Sequence, residues 1–216
     1  MRLRSDRSEG AVVNTAVEAW TPSPEPGVDR VMLERDGGEV ARATSVVRYR
    51  PGASFEAHVH ERGEEFLVVD GEFRDEHGIY PRGTYVRNPW GSVHRPSSPL
   101  GCLLFVKLRQ VPTADDPAVR AHRTFERCTL DGGCAVAELL LHASPIERAA
   151  IRRIDGGHVA QYGEEEMTTE LFVLEGSLLD GDGSFATGTW LRIPAHARRR
   201  MRAATETLLF VKAAAS

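Results

Sequence analysis

Cysteine is scarce in this chain. Cys102, Cys128 and Cys134 are the only three in 216 residues. They form neither an even set nor a CxxC pair, which argues against a disulfide framework and against a zinc site built from cysteine alone. Long hydrophobic runs are missing too. No stretch approaches the roughly 18 apolar residues of a membrane span. The opening MRLRSDRSEGAVVNTAV has basic residues but no apolar core of signal-peptide length, so the expectation is a cytoplasmic protein. Neither sign of charge dominates: 27 Lys plus Arg against 31 Asp plus Glu leave a net −4. That balance argues against a nucleic-acid or anionic-membrane partner. There is no Gly-rich phosphate loop, dinucleotide fingerprint or Ser/Cys nucleophile motif. Helical periodicity is weak; ADDPAVRAHRTFE (114–126) is the best candidate, and Pro117 interrupts it.

What the chain does have is a repeat. CLLFVK at 102–107 returns as TLLFVK at 207–212, and the same offset of 105 pairs GTYVRNP with GTWLRIP and EFLVVDG with ELFVLEG. Between 48 and 107 the offset never slips, and 18 of 60 positions are identical. Average composition gives roughly 6% by chance. A period this long is a domain, not a solenoid unit. The expected organisation is an extended lead-in over 1–25, which ends in the proline-rich WTPSPEPG, then domains at 26–112 and 113–216. Each copy reads as short β-rich runs punctuated by Gly, Pro and Asp, with a hairpin signal at Asp70-Gly71. The expected fold is all-β, a sandwich or barrel in each half.

The first copy concentrates metal-binding chemistry. His58 and His60 are two apart, so on a strand both imidazoles face one side. Glu61-Arg62-Gly63 is a tight turn, after which the returning strand opens with Glu64. His94 follows on a later strand. Three imidazoles and a carboxylate suit a borderline divalent ion: Zn, Fe, Mn, Ni or Co. In the second copy the four positions become Gly163, Glu165, Thr169 and Arg199, so it keeps the scaffold signals without the ligands. Glu65 persists there as Glu170, whereas Glu64 is lost together with the histidines. That favours Glu64 as the ligand. His77 reads as an exposed turn residue, Cys102 as a buried inert thiol, and Phe55, Phe66, Tyr85 and Trp90 as core or pocket wall. A basic cluster, Arg198, Arg199, Arg200 and Arg202, raises an anion pocket as a rival to a solvated basic run.

The spacing Gly52-x5-His58-x-His60-x3-Glu64-x6-Gly71, followed by Pro81-x-Gly83 and His94, resembles the two cupin motifs, and the repeat resembles a bicupin. The strings HVHERGEEFLVVDGEFRDE and YPRGTYVRNPWGSVHRP resemble more narrowly the cupin domain of ChrR-type anti-sigma factors. The resemblance implies two tandem jelly-roll barrels, with one divalent ion, zinc first, on His58, His60, Glu64 and His94. ChrR-type proteins also carry an N-terminal sigma-binding domain with its own zinc site. Here about 30 residues precede the first repeat, with no cysteine before Cys102, so sigma-factor binding is not expected of this chain alone. The resemblance implies a sensor or regulatory cupin; the alternative is a metal-dependent dioxygenase or other small-molecule cupin enzyme. Either leaves room for a small-molecule ligand in the first barrel and for a homodimer.

Overall fold

The computed structural model describes residues 1–38, 40–114 and 116–215. Regular structure among them is nearly all strand; the one described helix is a single turn, Thr124–Arg127. The window 114–126 thus resolves into a short strand, Val119–Ala121, and that turn. The protein is all-β, as its periodicity predicts.

The described chain divides into two compact units, Met1–Ser5 with Ala19–Thr124, and Asp6–Glu18 with Phe125–Ser216. In the first, antiparallel strands run in the order Arg2–Leu3, Val28–Gly37, Ala41–Tyr49, Cys102–Leu108, Glu64–Asp75, Tyr85–Asn88, Val119–Ala121. A separate two-stranded ribbon pairs His58–His60 with Ser92–His94. The core between them is built from Phe66, Phe73, Tyr80, Leu104 and Val106, with Phe66 and Phe73 edge to face at 4.9 Å, a favoured aromatic geometry. In the second unit a six-stranded sheet contributes Leu171 and Leu191 to one core, and a four-stranded sheet contributes Leu178 and Met201. Central runs such as CLLFVK are buried on both faces, which is why they read as continuous apolar stretches and not as alternation.

The repeat is visible in the backbone. In both units the strand after the motif bulges against its partner at equivalent residues, Val69 and Leu174. The Asp70-Gly71 signal, however, does not mark a hairpin. The strand continues through it from Glu64 to Asp75, pairing with Cys102–Leu108 before the glycine and with Gly78–Pro81 after it. Gly71 has φ +72°, and a Cβ there would stand 2.2 Å from the carbonyl oxygen of Gly101. Close backbone approach, not chain reversal, is what demands glycine here.

The bounds expected at 25 and 112 also differ from the compact units. Residues 1–25 are not one extended lead-in: Arg2–Leu3 pairs with the first unit, and Ala11–Asn14 adds an edge strand to Thr189–Ile193 of the second. The first unit extends past 112 because Val119–Ala121 pairs with Tyr85–Arg87. Unpaired edge groups of each sheet recruit these segments. That demand is invisible in proline-rich sequence.

A candidate metal centre in the first unit

The ribbon delivers the histidines. His58 and His60 share a face two residues apart, and the register sets His94 directly opposite His58. Their ring centroids are 4.8–5.0 Å apart, and one ligand atom from each lies within 4.8 Å of the others. His60 Nε2 and His94 Nε2 are 2.9 Å apart. The turn that follows needs Gly63. Its φ is +69°, and a Cβ would collide with Val111 and with the Asn88 carbonyl oxygen.

After that turn, strand alternation separates the two glutamates. Glu64 faces the histidines, with Oε2 at 3.4 Å from His60 Nε2 and 3.6 Å from His94 Nε2. Glu65 faces the other side and is paired with the fully buried Arg87 at 2.9 Å. The structure thus brings His58, His60, Glu64 and His94 to one place and leaves Glu65 out of it.

Around them stand partners that orient them. His58 Nδ1 is 3.0 Å from the Glu56 carbonyl oxygen. His94 Nδ1 is 3.1 Å from Asp75 Oδ2. Both contacts leave Nε2 for the centre, the usual arrangement behind a metal-ligating imidazole. Asn88 Nδ2 donates to Glu64 Oε2 at 3.1 Å, and Arg120 in turn donates to Asn88 Oδ1 at 2.6 Å. Burial pushes the His60 imidazole below its ordinary value, only partly offset by Glu64. Burial also opposes the charged form of His94, but the carboxylates of Asp75 and Glu64 outweigh it and raise that group. Burial would raise Asp75, yet hydrogen bonds from His94, Tyr80 and the His77 backbone hold it below the usual carboxylate range. The donor set, with imidazoles supported from behind and a carboxylate oxygen beside them, fits a divalent metal ion.

The centre lies in the wall of a cavity of about 570 Å³. Tyr49, Phe55, Phe73, Leu104 and Val106 give it apolar sides, while Arg30 and Arg35 bring charge to it.

Sequence reasoning missed Asp75, Asn88, Arg30 and Arg35. Asn88 had a signal: it becomes Ile193 in the copy that loses Glu64. Asp75 had none, because it persists as Asp180. His77 is exposed and Cys102 buried, as read. Cys128 is buried and Cys134 exposed, both free thiols. The basic cluster forms no open anion pocket at Arg199, which pairs with Asp180 and with Asp182 at 2.7 Å. Arg198 pairs with Glu165.

The family model of the ChrR cupin-like domain matches residues 8–112. No curated protein sequence matches the chain. Among solved structures, the fold is similar to the Escherichia coli pirin YhhW in complex with nickel(II) (TM-score 0.71, 11% identity, 96% of this chain and 99% of that one). It is also similar to the E. coli protein YlbA (TM-score 0.71, 14%, 96% and 92%). A third is a salicylate 1,2-dioxygenase from Pseudaminobacter salicylatoxidans (TM-score 0.67, 11%, 96% and 85%). At such identities these likenesses speak for the fold alone. Among the described residues no helix is long and apolar enough to cross a membrane. With its motif residues, its all-β fold and the family match over residues 8–112, the first half of the chain is a cupin domain that resembles the ChrR type.

Proposed function

We propose that the first unit holds one divalent metal ion on His58, His60, Glu64 and His94, and that a small molecule entering the adjoining cavity meets it there, as in a ChrR-like sensor or regulatory cupin. The observation that carries this reading is the convergence of three imidazoles and Glu64 at the wall of a 570 Å³ cavity. A purely structural metal site is closed off, whereas this centre borders space of ligand size. Zinc is the first expectation from the resemblance to the ChrR-type cupin; Fe, Mn or Ni suit the same donors. The ion, when bound, supplies Lewis acidity and an exchangeable coordination position. The protein's own part is to fix the imidazole tautomers through Glu56 and Asp75 and to hold Glu64 through Asn88. A cytoplasmic setting and a homodimer, with no nucleic-acid or membrane partner, complete the reading.

Elemental analysis of the purified chain tests it. One metal per chain is expected, lost in His58→Ala or His94→Ala. Metal content near two per chain, or unchanged in both variants, overturns it.

The same cavity favours a second reading, a metal-dependent dioxygenase or other small-molecule enzyme. Oxygen uptake by the Fe(II)-loaded chain, dependent on an added organic substrate and abolished in His94→Ala, selects this reading. Metal binding without turnover keeps the regulatory one.

A further inference from the structure

A chain of polar groups runs from the metal centre to a segment outside the repeat. Glu64 opposes Asn88 on neighbouring strands, and Val119–Ala121 adds to the far edge with Arg120 opposite Val86. Strand alternation therefore puts Glu64, Asn88 and Arg120 on one face. Arg120 is diagonal to Asn88, a spacing that a long side chain spans. It donates to Asn88 Oδ1 at 2.6 Å, and Asn88 Nδ2 donates to Glu64 Oε2 at 3.1 Å. A guanidinium has only donors, so it dictates which end of the Asn88 amide is the oxygen and turns the amide nitrogen to Glu64.

A second arm reaches another ligand. The Arg120 Cζ lies 5.9 Å from the Tyr80 ring centroid. The Tyr80 hydroxyl donates to Asp75 Oδ1 at 2.9 Å, and Asp75 Oδ2 is 3.1 Å from His94 Nδ1. Burial and then Asp75 raise that phenol to about 12, and Arg120 works against the rise. One residue thus stands behind both Glu64 and His94.

The second unit is the natural comparison. It too takes an edge strand from outside the repeat, Ala11–Asn14, in the same register: Val12 pairs with Leu191 as Arg120 pairs with Val86. There Glu64 is Thr169, Asn88 is Ile193, Tyr80 is Phe185, and the place of Arg120 is taken by Val12. The four polar groups go together with the histidines. Neighbours on the other face stay, Glu65 as Glu170 and Arg87 as Arg192. Ala11–Asn14 docks with a valine at this position, so fastening an edge strand does not require the arginine.

We propose that Arg120 is a positioning residue of the metal centre, holding Glu64 through Asn88 and His94 through Tyr80 and Asp75. This role rests on the metal reading above. It extends the centre past residues 8–112, the span of the family match, because the support common to two ligands comes from the segment that follows. Arg120 also touches its own strand and the next one: Nη1 donates to the Val119 and Arg87 carbonyl oxygens at 2.9 and 3.0 Å. Other ties hold the segment without it. Asp116 pairs with Arg87 at 2.9 Å, and the Thr124 hydroxyl donates to the Gly83 carbonyl oxygen at 2.7 Å. Arg120 is only partly buried, so Arg120→Leu removes the guanidinium and leaves the strand docked.

The test is chelator competition on the full chain with zinc and with cobalt(II), together with the cobalt absorption spectrum and the melting curve of the chelated chain. Arg120→Leu is expected to lower metal affinity about tenfold, as loss of a group behind a metal ligand does, and to alter the cobalt bands, which report ligand geometry. The chelated variant is expected to melt within a few degrees of the chelated wild type. Arg120→Lys keeps a donor toward Asn88 and is expected to recover part of the affinity. Added to Asn88→Ala with Tyr80→Phe, which cut both arms, Arg120→Leu is expected to cost little more. Affinity within about threefold of wild type with unaltered cobalt bands overturns the proposal. A chelated variant that melts far below the chelated wild type assigns Arg120 to the fold and overturns it too, as does a further tenfold loss when both arms are cut. A wild-type chain that takes up neither ion overturns the metal reading and this role with it. One bound ion indifferent to Arg120→Leu overturns this role alone.

Discussion

His94 Nδ1 lies 3.1 Å from Asp75 Oδ2, and in the second half Arg199 Nε lies 2.9 Å from Asp180. One acidic position, kept in both copies, supports a metal-facing imidazole in one and an arginine in the other. In the first unit it fixes the tautomer of His94 and adds basicity to Nε2. Asp75→Asn is therefore expected to weaken metal binding about 10–100-fold while leaving the fold intact. Competition against a chelator of known affinity measures it, and a change below about threefold would remove this role.

The two adjacent glutamates are expected to fail differently. Glu64→Gln removes the anionic oxygen beside His60 and His94 and lowers metal affinity. Glu65→Gln leaves that face untouched but removes one of the two carboxylates on the buried guanidinium of Arg87, Glu65 at 2.9 Å, and leaves Asp116 at 2.9 Å. Breaking a buried ion pair from one side costs about 3–5 kcal/mol, and with Asp116 in place the loss is expected at the lower end. Chemical denaturation should show a large loss for Glu65→Gln, and metal analysis a loss for Glu64→Gln. The opposite pattern refutes the assignment of Glu64 to the centre.

Metal retention is expected to fall with acid. Three of the four donors are imidazoles, which bind only when neutral. Protonation near the free value of about 6.5 competes with the ion. The shifts within the pair are opposite and order the loss: burial opposes the charged form of His94, but Asp75 and Glu64 outweigh it, so His94 takes up a proton first, while His60, lowered by burial, resists longer. Bound ion stabilises the unit that holds it, so acidification or chelation should lower the melting temperature of that unit only. Metal content and melting curves across pH 7 to 5 check this; a metal content flat through that range contradicts it.

At the alkaline end the tyrosines set the sign. Burial raises Tyr80 and Tyr162 to about 12, and Tyr49 well above its ordinary value of 10. The fold thus favours the neutral phenols. Their contribution is complete below about pH 10, the unfolded value, and is lost as pH rises through the raised folded values, about 12 for Tyr80 and Tyr162. Absorbance at the tyrosinate band should therefore show little ionisation of these three before pH 10, with unfolding accompanying their titration. Ionisation of three or more phenols at pH 10 in the folded chain would contradict the burial argument.

Much of this molecule is legible in the sequence. The constant offset of 105 pairs strand with strand, down to the shared bulges at Val69 and Leu174. His58 and His60 share a face, and Glu64 returns toward them, by period-two geometry and one turn, because strand alternation is a local rule that tertiary contacts do not override; His94 joins them through the resemblance to the cupin motifs. The choice of Glu64 over Glu65 rests on the second copy, where Glu64 is lost with the histidines and Glu65 persists as Glu170.

What only the tertiary structure decided is whatever depends on non-local pairing. Nothing local tells residues 11–14 to join Thr189–Ile193, or makes Asp70-Gly71 a crossing between sheets. Edge demand and close backbone approach decide those. Asp75 is silent in the sequence because both copies keep it for different partners. Arg35 is hidden because a single extra residue in the ladder turns it inward. Sequence period sets which side chains can share a face; register, which only the folded sheet fixes, sets which face that is.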